Sequence, residues 1–255
     1  ARQMFPLTDP GPVWIDGLFE VQPPTGIRRM LTHFVRVKSF TPVYELYEQG
    51  LGIYNDASNQ FQRLRDYPLD APITPAGHSF VHTVDGQEYI YFAEDYPNIR
   101  VKNNWDDVVD IAQWEAFTPF QENTRYDAAN PPLDLDNEGN VIYGWKKNTD
   151  PLRSNIMEEL AQNGHIDRDD SPFRMKNFET GNNVRLHRAS VYWNEYRDNW
   201  IMIGTESFGD SFLGEVWFAE APTPEGPWEY AVKVATHDAP SGEYCTARRE
   251  ASNTP

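Results

Sequence analysis

Four consecutive segments of strand character between Val184 and Asp238 constrain the fold of this chain most. The runs VRLHRASVYWN, NWIMIGTES, GEVWFAEA and WEYAVKVATH are rich in alternating apolar residues, and turn-forming residues separate them. The turn PTPEGP between the last two runs contains prolines and a glycine that force the chain to reverse. Such a unit carries apolar residues on both faces, so it needs neighbours of the same kind to be stable.

Units of this kind also precede Val184. The segment from Val13 to Leu69 contains four strand-like runs, and GHSFVHTVDGQEYIYFAED predicts a hairpin that turns at Asp85-Gly86. IRVKN and DVVDIAQW complete that second unit in our interpretation. EAFTPFQ begins a third unit, which continues into PLDLDNEGNVIYGWKK with a turn over 137–140.

The repeat of roughly 50 to 60 residues favours radial repetition of four-stranded units. We therefore predict an all-β fold, a β-propeller of four-stranded antiparallel blades over residues 1–238, with about four blades visible. A sandwich of two sheets is the alternative. The predicted innermost strands are Val13–Val21, Gly77–Thr83, Glu115–Gln121 and Arg185–Asn194.

Two segments depart from the strand pattern. Residues 151–164 predict a short helical insertion, with Ser154 or Asp150 as the N-cap and Gly164 as the stop. Residues 239–255 carry almost no apolar side chains, which predicts an irregular or disordered C-terminal tail.

Composition limits the classes of partner. The net charge of −17 over 255 residues argues against nucleic acid or an anionic membrane as a partner, because both require a cationic surface. No apolar run approaches the ~20 residues of a membrane-spanning helix. The N-terminal residues lack the pattern of a signal peptide, yet we expect a secreted or periplasmic location. Cys245 is the single cysteine, so no intrachain disulfide forms, and the oligomeric state stays open.

Three segments carry a family resemblance. LHRASVYWNEYRDNWIMIG, GEVWFAEAPTPEGPWEYAVKV and GHSFVHTVDGQEYIYFA resemble five-bladed β-propeller glycoside hydrolases of the arabinanase/xylosidase and neoagarobiose hydrolase type. The resemblance covers most of the chain from Val13 to Asp238, and the last blade of the family is not visible. It implies that the first strand of each blade lines a central tunnel.

The resemblance also implies roles for particular residues. Asp16, in WIDG, matches the base or nucleophile, and Glu115, in WEAFTP, matches the general acid. His78 stands where the family has an aspartate, which would move acid duty to an imidazole. The implied substrate-binding residues are Arg188, His187, Trp14 and Trp145.

Each of these residues also has a structural interpretation. Asp16 before Gly17 is typical of a turn or bulge, Glu115 could end a solvated strand, and His78 could be a core histidine. Arg188 could pair with Glu206 or Asp210, and tryptophans in β-rich cores more often pack than bind sugars.

Two functions stay open at this point. The first is hydrolysis of a glycosidic bond in an oligo- or polysaccharide by two axial carboxylates. The second is a non-catalytic propeller that binds a glycan or a protein, or a truncated and inactive relative. No cofactor is expected, although a structural or axial Ca²⁺ stays open; DLDNEGN is more typical of a hairpin turn than of a calcium loop.

Overall fold

The computed structural model of the protein describes residues 3–7, 11–39, 45–210 and 213–236. Its strands form three sheets. The first is antiparallel, in the order β1-β2-β3-β4, with β1 at Val13–Val21, β2 at Arg29–Ser39, β3 at Glu45–Asn55 and β4 at Gln60–Tyr67. The described residues therefore confirm the all-β class.

The second sheet contains five antiparallel strands in sequence order. They are β5 at His78–Val84, β6 at Gln87–Ala93, β7 at Pro97–Lys102, β8 at Glu115–Thr118 and β9 at Gly144–Lys147. The predicted hairpin is confirmed: Val84 pairs with Gln87, and Asp85 and Gly86 both adopt positive φ, as a two-residue hairpin turn requires.

The third sheet contains the four predicted C-terminal strands and one more. Its order is β10-β14-β13-β12-β11, with β10 at Phe173–Asn177, β11 at Leu186–Asn194, β12 at Asn199–Glu206, β13 at Val216–Ala221 and β14 at Trp228–Ala235. β10 pairs with β14 in parallel, whereas the other pairs are antiparallel.

The prediction that Glu115–Gln121 opens a third unit is wrong. Strand β8, which Glu115 begins, pairs with β7 on one side and β9 on the other, so it is the fourth strand of the second sheet. The described residues accordingly form three sheets, where we had expected about four blades. The segment DVVDIAQW, which we predicted to complete the second unit, is not a strand. The fourth strand of that sheet is β8.

Capping side chains explain why DVVDIAQW is not a strand. It forms helix α1 at Trp105–Val108 and a 3-10 turn at Ile111–Gln113. The side chain of Asn104 accepts a hydrogen bond from Asp107 N at 2.9 Å, and that of Asp110 accepts one from Ala112 N at 3.1 Å. These N-caps favour helical turns over extended backbone.

The predicted helical insertion is confirmed as α2 at Ser154–Gln162, which buries Met157 and Leu160. A second 3-10 turn follows at Arg168–Asp170. The N-cap position is Arg153, whose side chain makes no capping bond; instead Asp95 Oδ2, from the β6–β7 turn, accepts from Ser154 N at 2.6 Å. No helix of the described residues is long and apolar enough to cross a membrane. The predicted tail, residues 239–255, and Cys245 lie outside the described residues.

Two apolar cores join the three sheets. One core combines residues of the first and second sheets, including Phe19, Phe92 and Trp114. The other combines the second sheet, α2 and the third sheet, including Tyr91, Trp200 and Trp228. Strand β5 contacts both β1 and β11, so one edge strand of each sheet lies beside the next. We call β1, β5 and β11 the first strands, because a predicted four-strand unit begins with each of them; β10 precedes β11 in the chain but pairs with β14 at the other edge.

Trp114→Ala should reduce the free energy of unfolding by about 3–5 kcal/mol, as other large core truncations do. The indole is fully buried, packs against Phe92 at a centroid distance of 5.3 Å and donates to Val108 O at 3.1 Å. Urea unfolding followed by tryptophan fluorescence measures the change. Tyr196→Ala, at a side chain that is 94% exposed, is the control and should shift the midpoint little. Equal effects of the two substitutions would contradict this account of the core.

Candidate functional site

A pocket of about 410 Å³ opens where the first strands of the three sheets meet. Asp16 reaches it from β1, His78 from the start of β5, and Arg188 and Ser190 from β11; Ile203 of β12, which pairs with Ser190, also lines it. Its volume lies in the range of small-molecule sites, about 300–1,000 Å³. The structure thus brings three of the predicted site residues, Asp16, His78 and Arg188, to one place.

Asp16 connects all three first strands. Its Oδ1 accepts from Gly17 N at 2.8 Å and Gly77 N at 3.1 Å, and its Oδ2 forms an ion pair with Arg188 Nη1 at 2.8 Å. The β1–β2 register shifts between Asp16 and Phe19, so the bulge that the sequence suggested is present as well. The two interpretations of Asp16 are compatible, because the bulge turns its carboxylate into the pocket.

The glycine before His78 makes this arrangement possible. Gly77 has φ +81°, and a Cβ at this position would lie 1.9 Å from Ala93 O. A side chain is therefore excluded on both conformational and steric grounds. The close approach lets Gly77 N reach Asp16 and places His78 at the mouth of the pocket.

His78 is exposed, and its Nδ1 forms a hydrogen bond with Ser190 Oγ. Ser190 could not be identified from the sequence, because it is one polar residue in an ordinary alternating strand. The hydrogen bond holds the imidazole over the pocket and joins β5 to β11.

Arg188 also approaches a second carboxylate, which sequence reasoning missed. Glu94 Oε1 lies 3.9 Å from Arg188 Nη1, and Glu94 Oε2 lies 2.9 Å from Arg153 Nη1. The predicted structural partners of Arg188 are wrong: Asp210 pairs with Lys233 at 2.8 Å, and Glu206 accepts from Trp217 Nε1 at 2.8 Å. Glu94 follows β6 directly and lies beside the start of β5, because His78 pairs with Ala93.

A smaller cavity of about 150 Å³ adjoins this carboxylate. Glu94 and Arg153 line it together with His187, another predicted site residue. Burial, followed by the positive charge of Arg188, lowers the pKa of His187, so its imidazole is neutral at pH 7. His187 lines this smaller cavity and is not among the residues that line the central pocket.

Glu115 is not brought to the central pocket. Its Oε2 accepts from Arg100 Nε at 2.7 Å, and Arg100 also donates to Tyr91 Oη at 3.2 Å. The reason is its position in β8, the fourth strand of the second sheet, whereas that sheet lines the pocket only at the start of β5.

The tryptophans also lie away from the pocket lining. Trp145 Nε1 donates to Glu225 Oε1 at 3.0 Å, and the guanidinium of Arg100 lies 4.2 Å from the centre of its ring. Trp145 thus packs between the second and third sheets. Trp14 is 45% exposed on β1. Their predicted sugar contacts stay predictions.

Among the residues that the structure describes, no group of three or more His, Cys, Asp or Glu side chains is arranged to hold a metal ion. The segment 134–140 forms a turn in which Asp136 Oδ1 accepts from Glu138 N and Asn140 N, each at 2.8 Å. Hydrogen bonds from Asn140 lower the pKa of Asp136. The carboxylate thus closes a hairpin turn, and the isolated pairing of Leu135 with Val141 follows from it.

Comparisons with known proteins add little. No family model matches the sequence, and no curated protein matches it. Among solved structures, the chain aligns with the crystal structure of a protein titled "putative hydrolase" from Bacteroides ovatus ATCC 8483, with a TM-score of 0.44 and 14% identity. The alignment covers 86% of this chain and 45% of that one, so this chain spans less than half the length of that protein. A likeness at this level carries no information on activity.

A buried histidine lies behind the site on β2. His33 pairs with Asp16 across the β1–β2 ladder, and burial lowers its pKa from 6.5 to about 4 despite a hydrogen bond to Gln49 and the charge of Asp16. Below pH 6.5 the unfolded chain therefore binds a proton that the native state excludes until about pH 4. Native stability falls across this window as pH decreases.

We expect His33 to account for up to about 3 kcal/mol of stability that is present above pH 6.5 and lost by pH 4, at 1.36 kcal/mol per pKa unit. Urea unfolding of the wild type and His33→Asn between pH 7.5 and 4 measures this loss. The variant should show the shallower dependence on pH, because asparagine does not titrate. Parallel pH profiles for the two proteins would contradict the buried neutral imidazole.

Proposed function

We propose that the chain is a glycoside hydrolase-like protein with three sheets arranged as propeller blades around the central pocket. The adjacency of β1, β5 and β11 supports the propeller arrangement, as do the two cores that pair neighbouring sheets. One observation carries the functional proposal: Asp16 and Glu94 converge on the same guanidinium at the mouth of a pocket of ligand size.

The spacing of these two carboxylates supports glycosidic chemistry. Asp16 Oδ2 and Glu94 Oε1 lie 2.8 Å and 3.9 Å from one nitrogen of Arg188, so their separation cannot exceed the sum of these distances. Retaining glycosidases have carboxyl groups about 5–5.5 Å apart, and inverting enzymes about 6.5–9.5 Å apart. This upper limit on the separation of the two carboxylates is compatible with a retaining enzyme and with the shortest separations found in inverting enzymes.

In this proposal Asp16 is the base or the nucleophile. Three donors fix its carboxylate, so its free lone pairs keep a defined direction towards the pocket. His78 is the proton donor to the leaving oxygen, because an imidazole can carry a proton near neutral pH and Ser190 holds its orientation. Arg188 positions Asp16 and Glu94. Glu94 is the second carboxylate of the site in place of Glu115, and His78 takes the acid role that the resemblance implied for Glu115.

A non-catalytic glycan-binding protein is the second candidate. Both carboxylates at the pocket are already held in ion pairs with arginines, Asp16 with Arg188 and Glu94 with Arg153. If His78 does not supply the proton, the same pocket would bind a sugar without cleaving it.

Asp16→Asn should reduce turnover of a responsive glycan by about 10²–10⁴-fold, the usual contribution of acid–base or nucleophilic groups, while ligand affinity changes little. A reducing-sugar assay over a broad oligosaccharide panel, which includes arabinans and galactans, measures turnover. Calorimetry measures binding. Glu138→Gln, in the exposed turn of 134–140, is the control and should be fully active.

Glu115→Gln separates the two assignments of the second acidic group. The Glu115→Gln variant should cleave glycan at the wild-type rate, because Glu115 pairs with Arg100 outside the pocket. The Glu94→Gln variant should lose this activity. Activity that depends on Glu115 and not on Glu94 would overturn the assignment. Binding without cleavage across the whole panel would favour the second candidate.

A further inference from the structure

The smaller cavity next to the central pocket lies where the β6–β7 turn, the start of α2 and β11 meet. At about 150 Å³ it has the size of a substituent and not of an oligosaccharide. The two cavities share a boundary, because Arg188 lines the central pocket and contacts Glu94 of the smaller one. A group on a sugar ring in the first cavity can therefore reach the second.

Both carboxylates of this cavity have partners within the protein. Glu94 forms an ion pair with Arg153 at 2.9 Å, although its buried Oε2 makes no hydrogen bond among the described residues. Asp95 Oδ1 accepts from Tyr96 N at 2.8 Å and Asn98 Nδ2 at 3.2 Å, and its Oδ2 accepts from Ser154 N at 2.6 Å. The negative charges of the lining are thus compensated by the protein itself.

Arg185 differs from the other arginines of this region. It lines the cavity, is exposed, and forms no ion pair with any residue that the structure describes; its guanidinium lies 5.7 Å from the ring centre of Phe208. Ser207 N donates to Arg185 O at 2.8 Å, which holds this backbone at the cavity. The neighbouring Arg153 and Arg188 both pair with carboxylates, so Arg185 is the arginine of this region that has none among the described residues.

Ser154 provides a second, independent indication of a ligand. It lines the cavity at the first position of α2 and is 3% exposed, yet its Oγ has no hydrogen-bond partner among the described residues. Buried hydroxyl groups normally have partners. The positive end of the α2 dipole lies at the same point and favours negative charge, of which Asp95 Oδ2 at Ser154 N already supplies a part.

We propose that the cavity of Arg185, Ser154 and Ser207 receives the anionic group, a carboxylate or a sulfate, of an acidic sugar whose ring occupies the central pocket. This inference rests on the proposed function and names its substrate class as acidic glycans. Arg185 supplies the charge, Ser154 Oγ donates a hydrogen bond, and neutral His187 adds a polar contact at the rim.

Calorimetric titration of the full chain tests the proposal with three probes of matched length: an oligogalacturonate, a sulfated galacto-oligosaccharide and a neutral galacto-oligosaccharide. The wild type should bind one or both acidic probes more tightly than the neutral one, and the two acidic arms distinguish a carboxylate from a sulfate. Arg185→Gln should weaken acidic binding about 10- to 100-fold, as expected for a lost charged hydrogen bond, and leave neutral binding unchanged.

Two further variants sharpen the result. Ser154→Ala should weaken acidic binding by a smaller factor. Arg65→Gln removes an equal charge from exposed β4 and should change neither kind of binding. The inference is overturned if the wild type binds the neutral probe as tightly as both acidic probes, if it binds none of the three, or if Arg185→Gln and Arg65→Gln have equal effects.

The outcomes separate this inference from the proposed hydrolysis. Acidic binding that depends on Arg185, without cleavage of any glycan, would refute hydrolysis alone. Cleavage of neutral glycans that depends on Asp16, with no acidic preference, would refute the anion site alone.

Discussion

Burial of the second sheet on both faces is the constraint on which the rest of the structure depends. Successive residues of β6 enter different cores: Ile90 and Phe92 pack with the first sheet, and Tyr91 and Ala93 pack with the third. Because side chains alternate along a strand, a register slip of one residue would exchange the two sets. Both cores therefore fix the register of β6 against β5. That register places Ala93 opposite His78. The carbonyl oxygen of Ala93 then lies so close to position 77 that only a glycine fits there.

Assembly of the site follows from this packing. Asp16 accepts from a β5-adjacent backbone amide and from a β11 guanidinium, so its contacts exist only when all three sheets are in place. The carboxylate in turn holds the first strands together at their pocket ends. Substitutions at Asp16 and Arg188 thus affect stability as well as ligand contacts. This coupling is why turnover and binding need to be measured with unfolding on the same variants.

Alternation in the sequence predicted most strands of the three sheets, because local pattern determines which segments extend. It could not assign β8, because a short strand such as EAFT carries no local information about which sheet it joins. The caps at Asn104 and Asp110 outweighed the strand propensity of Val108 and Val109. Asp16, His78, Glu115 and Arg188 were predicted as a group, since each lies in a predicted first strand, and the structure brings together all of them except Glu115. Glu94 and Ser190 were missed, because their importance comes from long-range contacts with Arg188 and His78.

The distribution of charge around the pocket sets the chemistry that the site can perform. The chain is strongly acidic, yet Arg153, Arg185 and Arg188 gather around two adjoining cavities. Arginine is always protonated, and two of these side chains orient the carboxylates: Arg188 contacts Asp16 and Glu94, and Arg153 contacts Glu94. The same concentration of cations attracts an anionic substituent. The acidic sugar that we propose as the ligand would place its charge at Arg185, which forms no ion pair with any of the described residues.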